Sequence, residues 1–262
     1  MPVSSLTIAA QDYLKVIWAA SEWSADSITV KQLAERTGVS TATVSDGIRK
    51  LAGLGMLVHE PYGTIELTDR GRVVAVDMVR RHRLVETFLV EMLDYSWDEV
   101  HDEAEVLEHA VSDKLIDRID RMLGFPDRDP HGDPIPSAAG LSFRPDAVRL
   151  SEAQPGHPFV VSRISDADPA LLRYVADKGV VLDVRLTVVE HRTAGEVTVM
   201  LGSAPIGDTV VARGGAAHRG AAHSGATHDS AGIGGSVPDD DGVPIELGQR
   251  ASDAIWVTRV GA

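Results

Sequence analysis

Cysteine is absent from all 262 residues, which excludes disulfide staples and thiolate metal ligands and fits a reducing compartment. Any metal site must therefore use carboxylates and imidazoles. Long apolar runs are missing as well, and no stretch reaches the length that spans a bilayer. The first residues, MPVSSLTIAAQDYLKV, lack a basic leader, and Asp12 and Lys15 interrupt their apolar pattern, so no secretory signal is expected. A soluble, cytoplasmic protein without a membrane partner is the expectation. Basic residues are scarce: 25 Lys and Arg stand against 39 Asp and Glu, for a formal charge of -14. That balance would argue against nucleic-acid binding, since phosphate affinity comes from cations that release counterions. The acid lies mostly downstream, however. Residues 1–75 are close to neutral, with Lys31, Arg36, Arg49, Lys50, Arg70 and Arg72 spread through them, and bulk charge excludes nothing there.

What is present suggests two or three compact units, given the length. Apolar residues at helical spacing (Tyr13, Val16, Ile17, Ala20) give an amphipathic first helix. Val30 to Arg36 reads as a short helix, Thr37-Gly38-Val39 as a tight turn, and Ser40 to Leu54 as a second helix capped by Ser40 or Thr41. This is the helix-turn-helix plan. Leu33, Ala34, Val39, Val44, Ile48 and Leu51 would pack inward, leaving Thr41, Ala42, Thr43, Ser45, Asp46 and Arg49 outward as a small polar face suited to a major groove. Met56 to Glu60 and Thr64 to Thr68 alternate around Pro61-Tyr62-Gly63, a hairpin where a wing belongs.

From Arg70 to Gly124 the pattern is helical almost throughout. Val73, Val76, Met78, Leu84, Phe88, Leu89, Val106, Leu107, Leu115, Ile119 and Leu123 offer more apolar surface than two helices can hide, which points to a homodimer. Residues 125–150, rich in Pro, Asp and Gly, read as a connector. Phe159-Val160-Val161, Val181 to Val189 and Glu196 to Leu201 are β-rich around a helix from Pro169 to Lys178, as in a small β-barrel. Residues 213–242 form a loose Gly/Ala/His repeat containing His218, His223 and His228, expected to be an insertion, before Ile255-Trp256-Val257 resumes strand character.

The chemistry concentrates in His101-Asp102-Glu103-Ala104-Glu105-Val106-Leu107-Glu108-His109. His101, Glu105, Glu108 and His109 fall at offsets of four, seven and eight and share one helical stripe, with Val106 and Leu107 directed into packing. His82 and Glu86, four apart, come from a second helix and Asp12 from the first. Charged runs usually solvate helix faces, but carboxylates brought close together need a cation to relieve their repulsion. Oxygen and imidazole donors without thiolate favour Mn(II), Fe(II) or Mg(II).

Residues 9–136 resemble the diphtheria toxin repressor family of metalloregulators. The likeness is carried by Asp12-Tyr13-Leu14, the winged helix, Arg81-His82-Arg83-Leu84 with Glu86, His101-Asp102-Glu103-Ala104 with Glu108-His109, and His131-Gly132-Asp133-Pro134-Ile135-Pro136. By that resemblance the position of Glu105 is cysteine and that of Asp12 methionine in iron-sensing members, while manganese-sensing members carry acids at both. The resemblance thus implies Mn(II), with Fe(II) as the alternative. It groups Asp12, Glu105, Glu108 and His109 in one site, with His82, Glu86 and His101 in a neighbouring one. Lys15 departs from the pattern, since some manganese regulators place a further glutamate there, and two mononuclear sites are expected. Residues 155–262 resemble the SH3-like third domain of longer members, which can lend a ligand; Asp166 and Asp168 are candidates.

The expectation is mainly α with β, in three parts. Residues 1–73 are a winged helix-turn-helix DNA-binding domain and 74–140 a helical metal-binding and dimerisation domain. After a linker at 141–154, residues 155–262 form an SH3-like domain with the insertion at about 213–242. On DNA, Ser40, Ala42, Thr43 and Asp46 would face base edges and Thr41, Ser45, Arg49 and Lys50 would hold phosphates of a palindromic operator. One rival is a carboxylate-bridged di-metal enzyme, which needs two Glu-x-x-His pairs where this chain has Glu105-x-x-Glu108-His109. A second is a winged-helix regulator whose effector is not a metal.

Overall fold

The computed structural model describes residues 6–23, 27–60, 63–192, 195–202 and 244–261. The chain divides into two compact units, Met1–Arg144 and Pro145–Ala262. In the first, Thr7 caps α1 (Ile8–Glu22) by accepting from the Ala10 amide. Thr29 and Gln32 form a reciprocal capping box on α2 (Val30–Thr37). The chain then turns at Gly38, whose φ of 67° is the left-handed conformation that favours glycine after a helix. Ser40 caps α3 (Thr41–Gly53) through the Thr43 amide. The hairpin pairs β1 (Leu57–His59) with β2 (Ile65–Leu67) in antiparallel register, Leu57 opposite Leu67. Leu14, Leu33, Val44, Ile48, Leu51, Met56 and Ile65 are buried together beneath these elements. Val39, expected in that core, is instead 41% exposed, because the turn after Gly38 carries it outward before α3 begins.

Capped by Thr68, α4 (Asp69–Leu93) starts close against the hairpin: a Cβ on Gly71 would lie 1.8 Å from the Met56 carbonyl oxygen, so only glycine fits. Val73, counted among the apolar stripes of this region, is 71% exposed. The helical run to Gly124 is three helices. Asp94 ends α4 in the left-handed region at φ 58°, then follow α5 (Val100–Leu107) and α6 (Asp113–Met122). Leu84, Val85, Leu89, Val100, Ala104, Ile116, Ile119 and Ile135 make a second core. Val106, expected to pack, is exposed, as are Met92, Leu93, Leu115 and Met122, so the helices do leave apolar surface uncovered. The segment read as a connector from residue 125 is not one along its whole length: Asp129, His131, Asp133 and Ile135 are buried, for reasons given below.

The second unit is a six-stranded antiparallel sheet in the order β3-β8-β4-β5-β6-β7, formed by β3 (Ala147–Arg149), β4 (Pro158–Ile164), β5 (Arg185–His191), β6 (Val197–Leu201), β7 (Ile245–Leu247) and β8 (Ile255–Arg259). Register shifts at Val161/Arg163 and Val188/Glu190 mark bulges, which bend strands. The sheet is accompanied by α7 (Pro169–Asp177) and α8 (Gln249–Asp253). The repeat with His218, His223 and His228 lies outside the described residues. Among the described residues, no helix is long and apolar enough to cross a membrane.

Candidate metal centre and nucleic-acid interface

Three elements of the first unit bring the acidic and histidine residues together. His82 and Glu86 lie one turn apart on α4, which aligns them on one face; His82 Nε2 is 3.0 Å from Glu86 Oε1. His101 and Glu105 stand on α5. The helix stops at Leu107, so Glu108 is its C-cap and His109 sits in the following turn, where a single nine-residue stripe was expected. That early stop splits the set. Glu108 and His109 meet Asp12 on α1, all three offering ligand atoms within 4.8 Å of one another, while His101 stays with His82 and Glu86. Glu105 turns toward Lys15, with its Oε1 3.6 Å from His101 Nε2 and 3.9 Å from His82 Nδ1.

Glu108 links the two groups. Its fully buried carboxylate meets His82 Nδ1 at 2.5 Å through Oε2 and accepts from Lys15 Nζ at 2.6 Å through Oε1. Burial alone would raise its pKa, but His82 and Lys15 outweigh that and hold it below the usual carboxylate range. Burial likewise pulls the His82 imidazole down, and Glu86 with the Glu108 hydrogen bond reverses this, pushing it up to about 9.

The Asp12 group is differently finished. His109 Nδ1 lies 2.9 Å from Gln11 Oε1, and the Gln11 amide nitrogen donates to the Leu6 carbonyl, which fixes the amide with its oxygen toward the imidazole. A carbonyl oxygen only accepts, so Nδ1 carries a hydrogen and Nε2 is the ring nitrogen left to face the carboxylates. His109 Nε2 lies 2.9 Å from Asp12 Oδ1 and 3.5 Å from Glu108 Oε1. Asp12 Oδ1 is buried and has no hydrogen-bond partner despite this proximity. Burial raises the Asp12 pKa, against the opposing pull of His109 and Lys15. Two carboxylates and an imidazole nitrogen converging in a largely buried place form a donor set that a cation can hold together. Two carboxylates and an imidazole, with no sulfur, suit a hard or borderline divalent ion.

Sequence reasoning missed a third buried cluster. The Arg83 guanidinium is clamped by both Glu22 oxygens, donates to the Pro134 carbonyl at 2.6 Å, and lies 3.4 Å from Asp133 Oδ1 and 3.7 Å from Asp129 Oδ2. Trp23 Nε1 donates to Asp133 Oδ1 at 2.6 Å. Asp129 Oδ1 accepts from the His131 and Asp133 amides, and burial beside Asp133 pushes its pKa up to about 7. His131 Nε2 meets the Trp97 carbonyl at 2.6 Å, and its Nδ1 lies 3.8 Å from Glu86 Oε2. The signal was present in Arg83 and the His131–Pro136 motif, but Pro, Gly and Asp read as a connector.

On α3, Ser40, Thr41, Ala42, Thr43, Asp46, Arg49 and Lys50 are exposed and Ser45 is half-buried. Several are engaged locally: Ser40 as the cap, Ser45 donating to the Thr41 carbonyl at 2.7 Å, and Asp46 paired with Arg49 at 2.7 Å. In the second unit Asp168 caps α7 and pairs with Arg250, so its carboxylate is already engaged there. Asp166 belongs to the same unit.

With this geometry in view, the comparisons with known proteins are decisive. Residues 5–65 match the N-terminal DNA-binding domain of iron-dependent repressors, and residues 68–137 match their metal-binding and dimerisation domain. The iron-dependent repressor IdeR of Mycobacterium leprae is 32% identical over 212 residues, covering 76% of this chain and 91% of that one. The chain belongs to the iron-dependent repressor family.

Residues 148–212 match the FeoA domain, the SH3-like third part of the architecture. IdeR of Mycobacterium tuberculosis is likewise 32% identical, over 211 residues. Among solved structures, a manganese-dependent transcriptional repressor in complex with manganese is 50% identical, with a TM-score of 0.79 over 96% of this chain and all of that one. The manganese regulator SloR is 27% identical, with a TM-score of 0.69 over 95% of this chain and 98% of that one. This repressor is therefore a metal-dependent, DNA-binding regulator with a dimerisation domain, and not an enzyme. A divalent manganese or iron ion fits it.

Proposed function

We propose that this protein is a manganese-activated, cytoplasmic repressor of metal-homeostasis genes that binds a palindromic operator as a dimer. The observation that carries the reading is the buried, unpartnered Asp12 Oδ1 facing His109 Nε2 across α1 and the end of α5. Asp12, Glu108 and His109 would hold one ion, with Glu105 able to join them; His82, Glu86 and His101 would hold another. Acids at Asp12 and Glu105, and the likeness to a manganese-dependent repressor at 50% identity, favour manganese over iron. The functional division is 1–73 for DNA and 74–140 for metal and dimerisation, with an SH3-like domain that includes β3 and so begins before the 155 expected from the sequence.

A bound ion supplies positive charge that lets opposed acceptors on different helices approach without repulsion. The chain's own residues do the rest. Asp12 lies on α1, and the next residue, Tyr13, packs on the recognition helix: a Cβ added at Gly47 would come within 2.4 Å of the Tyr13 ring. Fixing Asp12 against α5 therefore fixes α1 beneath α3, and with it the spacing of two recognition helices in a dimer. Ser40, Ala42, Thr43 and Asp46 then face bases, and Thr41, Ser45, Arg49 and Lys50 face phosphates. Since few of these make bidentate base contacts, DNA shape carries part of the sequence preference.

The test is DNA affinity for the protein's own upstream region, with chelator, Mn(II) and Fe(II), in the native protein and Asp12→Ala. Binding that requires Mn(II) and is lost in the variant is expected. Binding with Fe(II) alone would reassign the ion, and binding indifferent to metal would overturn the reading.

A further inference from the structure

We propose that Lys15 is a built-in counter-cation that competes with the divalent ion for Glu108 Oε1 and so sets the metal concentration at which this repressor responds. The inference rests on the metal reading above and adds to it a residue that tunes the site without being a ligand. Lys15 lies on α1, three residues after Asp12, and is 7% exposed. Its Nζ is 2.5 Å from Glu105 Oε1 and 2.6 Å from Glu108 Oε1. That same Glu108 oxygen is 3.5 Å from His109 Nε2, which in turn lies 2.9 Å from Asp12 Oδ1.

One carboxylate oxygen thus serves two purposes. In the ion-free protein it neutralises an ammonium, and an ion held by Asp12, Glu108 and His109 must take it over or share it. Sharing places a cation beside a buried cation, and charges a few ångströms apart repel strongly in a poorly solvated place. Yielding costs the ammonium its charge-assisted hydrogen bond to Glu108, and the one to Glu105 as well when the flexible four-carbon stem swings its head toward water. Either way the ion gains less than it would from bare carboxylates. Lys15 also pairs with Glu105, whose Oε1 lies on the side of His82 and His101. It has a second effect on the ion-free state: without it, Glu105 and Glu108 would face each other with less compensation. Lys15 therefore stabilises the silent protein and raises the threshold for the loaded one.

The experiment is an Mn(II) titration of the full-length protein at fixed pH and ionic strength, with free ion followed by its electron paramagnetic resonance signal, together with thermal unfolding in chelator. Lys15→Met keeps the apolar stem and removes the charge, Lys15→Gln guards against a folding failure peculiar to methionine, and Lys15→Arg keeps a permanent charge. Expected are Kd values tighter by about ten-fold or more in the Met and Gln variants, a lowered Tm in chelator, and a larger upward shift of Tm on adding Mn(II). The Arg variant should stay near the native Kd. Unchanged or weaker binding in both neutral variants would overturn the competition while leaving the metal reading intact. No Mn(II) uptake by the native protein would overturn the metal reading, and the competition with it.

Discussion

Two buried charged clusters lie against α1, and they are finished in opposite ways. Near its C-terminal end, Glu22 joins Asp129 and Asp133 around the Arg83 guanidinium, a donor that is always charged and has enough N–H groups for all of them. Near its N-terminal end, Asp12, Glu108 and His109 converge beside Lys15, and one Asp12 oxygen has no hydrogen-bond partner. The first cluster is closed by the chain itself and behaves as a structural joint. The second has a fixed cation, Lys15, on the Glu108 side only and leaves Asp12 Oδ1 without a hydrogen-bond partner, which is the opening a metal sensor requires. The difference lies in the donors: similar acids become scaffold or switch according to whether the fold supplies a complete set of partners.

The largest effect should come from opening the closed cluster. Arg83→Ala leaves Glu22, Asp129 and Asp133 buried without their cation and should cost about 3–5 kcal/mol of stability, measured by urea unfolding, by the same amount in chelator and in Mn(II). A loss seen only with metal present would make Arg83 part of the sensor and erase the contrast. Next is Asp12→Asn. It removes a carboxylate charge whose burial and whose attraction to His109 and Lys15 oppose each other in the ion-free fold, so stability in chelator should change by less than about 1 kcal/mol. The part of the Mn(II)-induced gain that comes from the Asp12 site, about 2.7 kcal/mol for the native protein at a hundred-fold excess over its Kd, should vanish while the part from the His82 site persists.

Gly47→Ala tests whether the open cluster reaches DNA through Tyr13. The added methyl meets the Tyr13 ring at 2.4 Å, so overpacking should cost about 1–3 kcal/mol. Metal-dependent operator affinity should fall while Mn(II) uptake by a folded variant persists. Loss of uptake as well would show that α1 is disturbed as a whole. The pH dependence sharpens the picture further. The His82 pKa stands at about 9 in the ion-free protein, with Glu86, Glu105, Glu108 and His101 facing the ring and Lys15 nearby, so His82 holds a proton at pH 7. Ligation needs the neutral ring. Mn(II) affinity at that site should therefore rise from pH 7 to 9 with about one proton released per ion, a number readable by calorimetry in buffers of different ionisation heat; no release would mean that His82 is not a ligand. The smallest effect is Lys50→Ala, which should weaken all DNA sequences alike and reduce the salt slope by about one.

Much of this was legible before the fold. Gly38 followed by Ser40 marked the turn and cap of a helix-turn-helix, and the four-residue spacing of His82 with Glu86 and of His101 with Glu105 survives as shared faces on α4 and α5. Local chemistry writes such features directly into the sequence. What was not legible depends on partners far away along the chain. That Lys15 bridges Glu105 and Glu108, about ninety residues distant, follows from how α1 crosses the other helices and from nothing in its own neighbourhood. The left-handed break at Asp94 and the stop after Leu107 are single-residue backbone choices within an unbroken helical pattern. The buried Asp129–Asp133 loop misleads for another reason: Pro, Gly and Asp suit an exposed connector equally well, until an arginine elsewhere makes burying those acids favourable. Val39, Val73 and Val106 are the converse, apolar residues at helical spacing that the fold leaves outside.

In the proposed mechanism, metal held through Asp12 fixes α1 to the end of α5 and thereby orders the DNA-reading helix. Amide hydrogen exchange across Ile8–Glu22 tests it most directly, with chelator and with Mn(II), in the native protein and in Asp12→Asn. Slower exchange along α1 on adding Mn(II), absent in the variant, is the expected result. Mn(II)-dependent operator binding with α1 exchange unchanged in the native protein would contradict it.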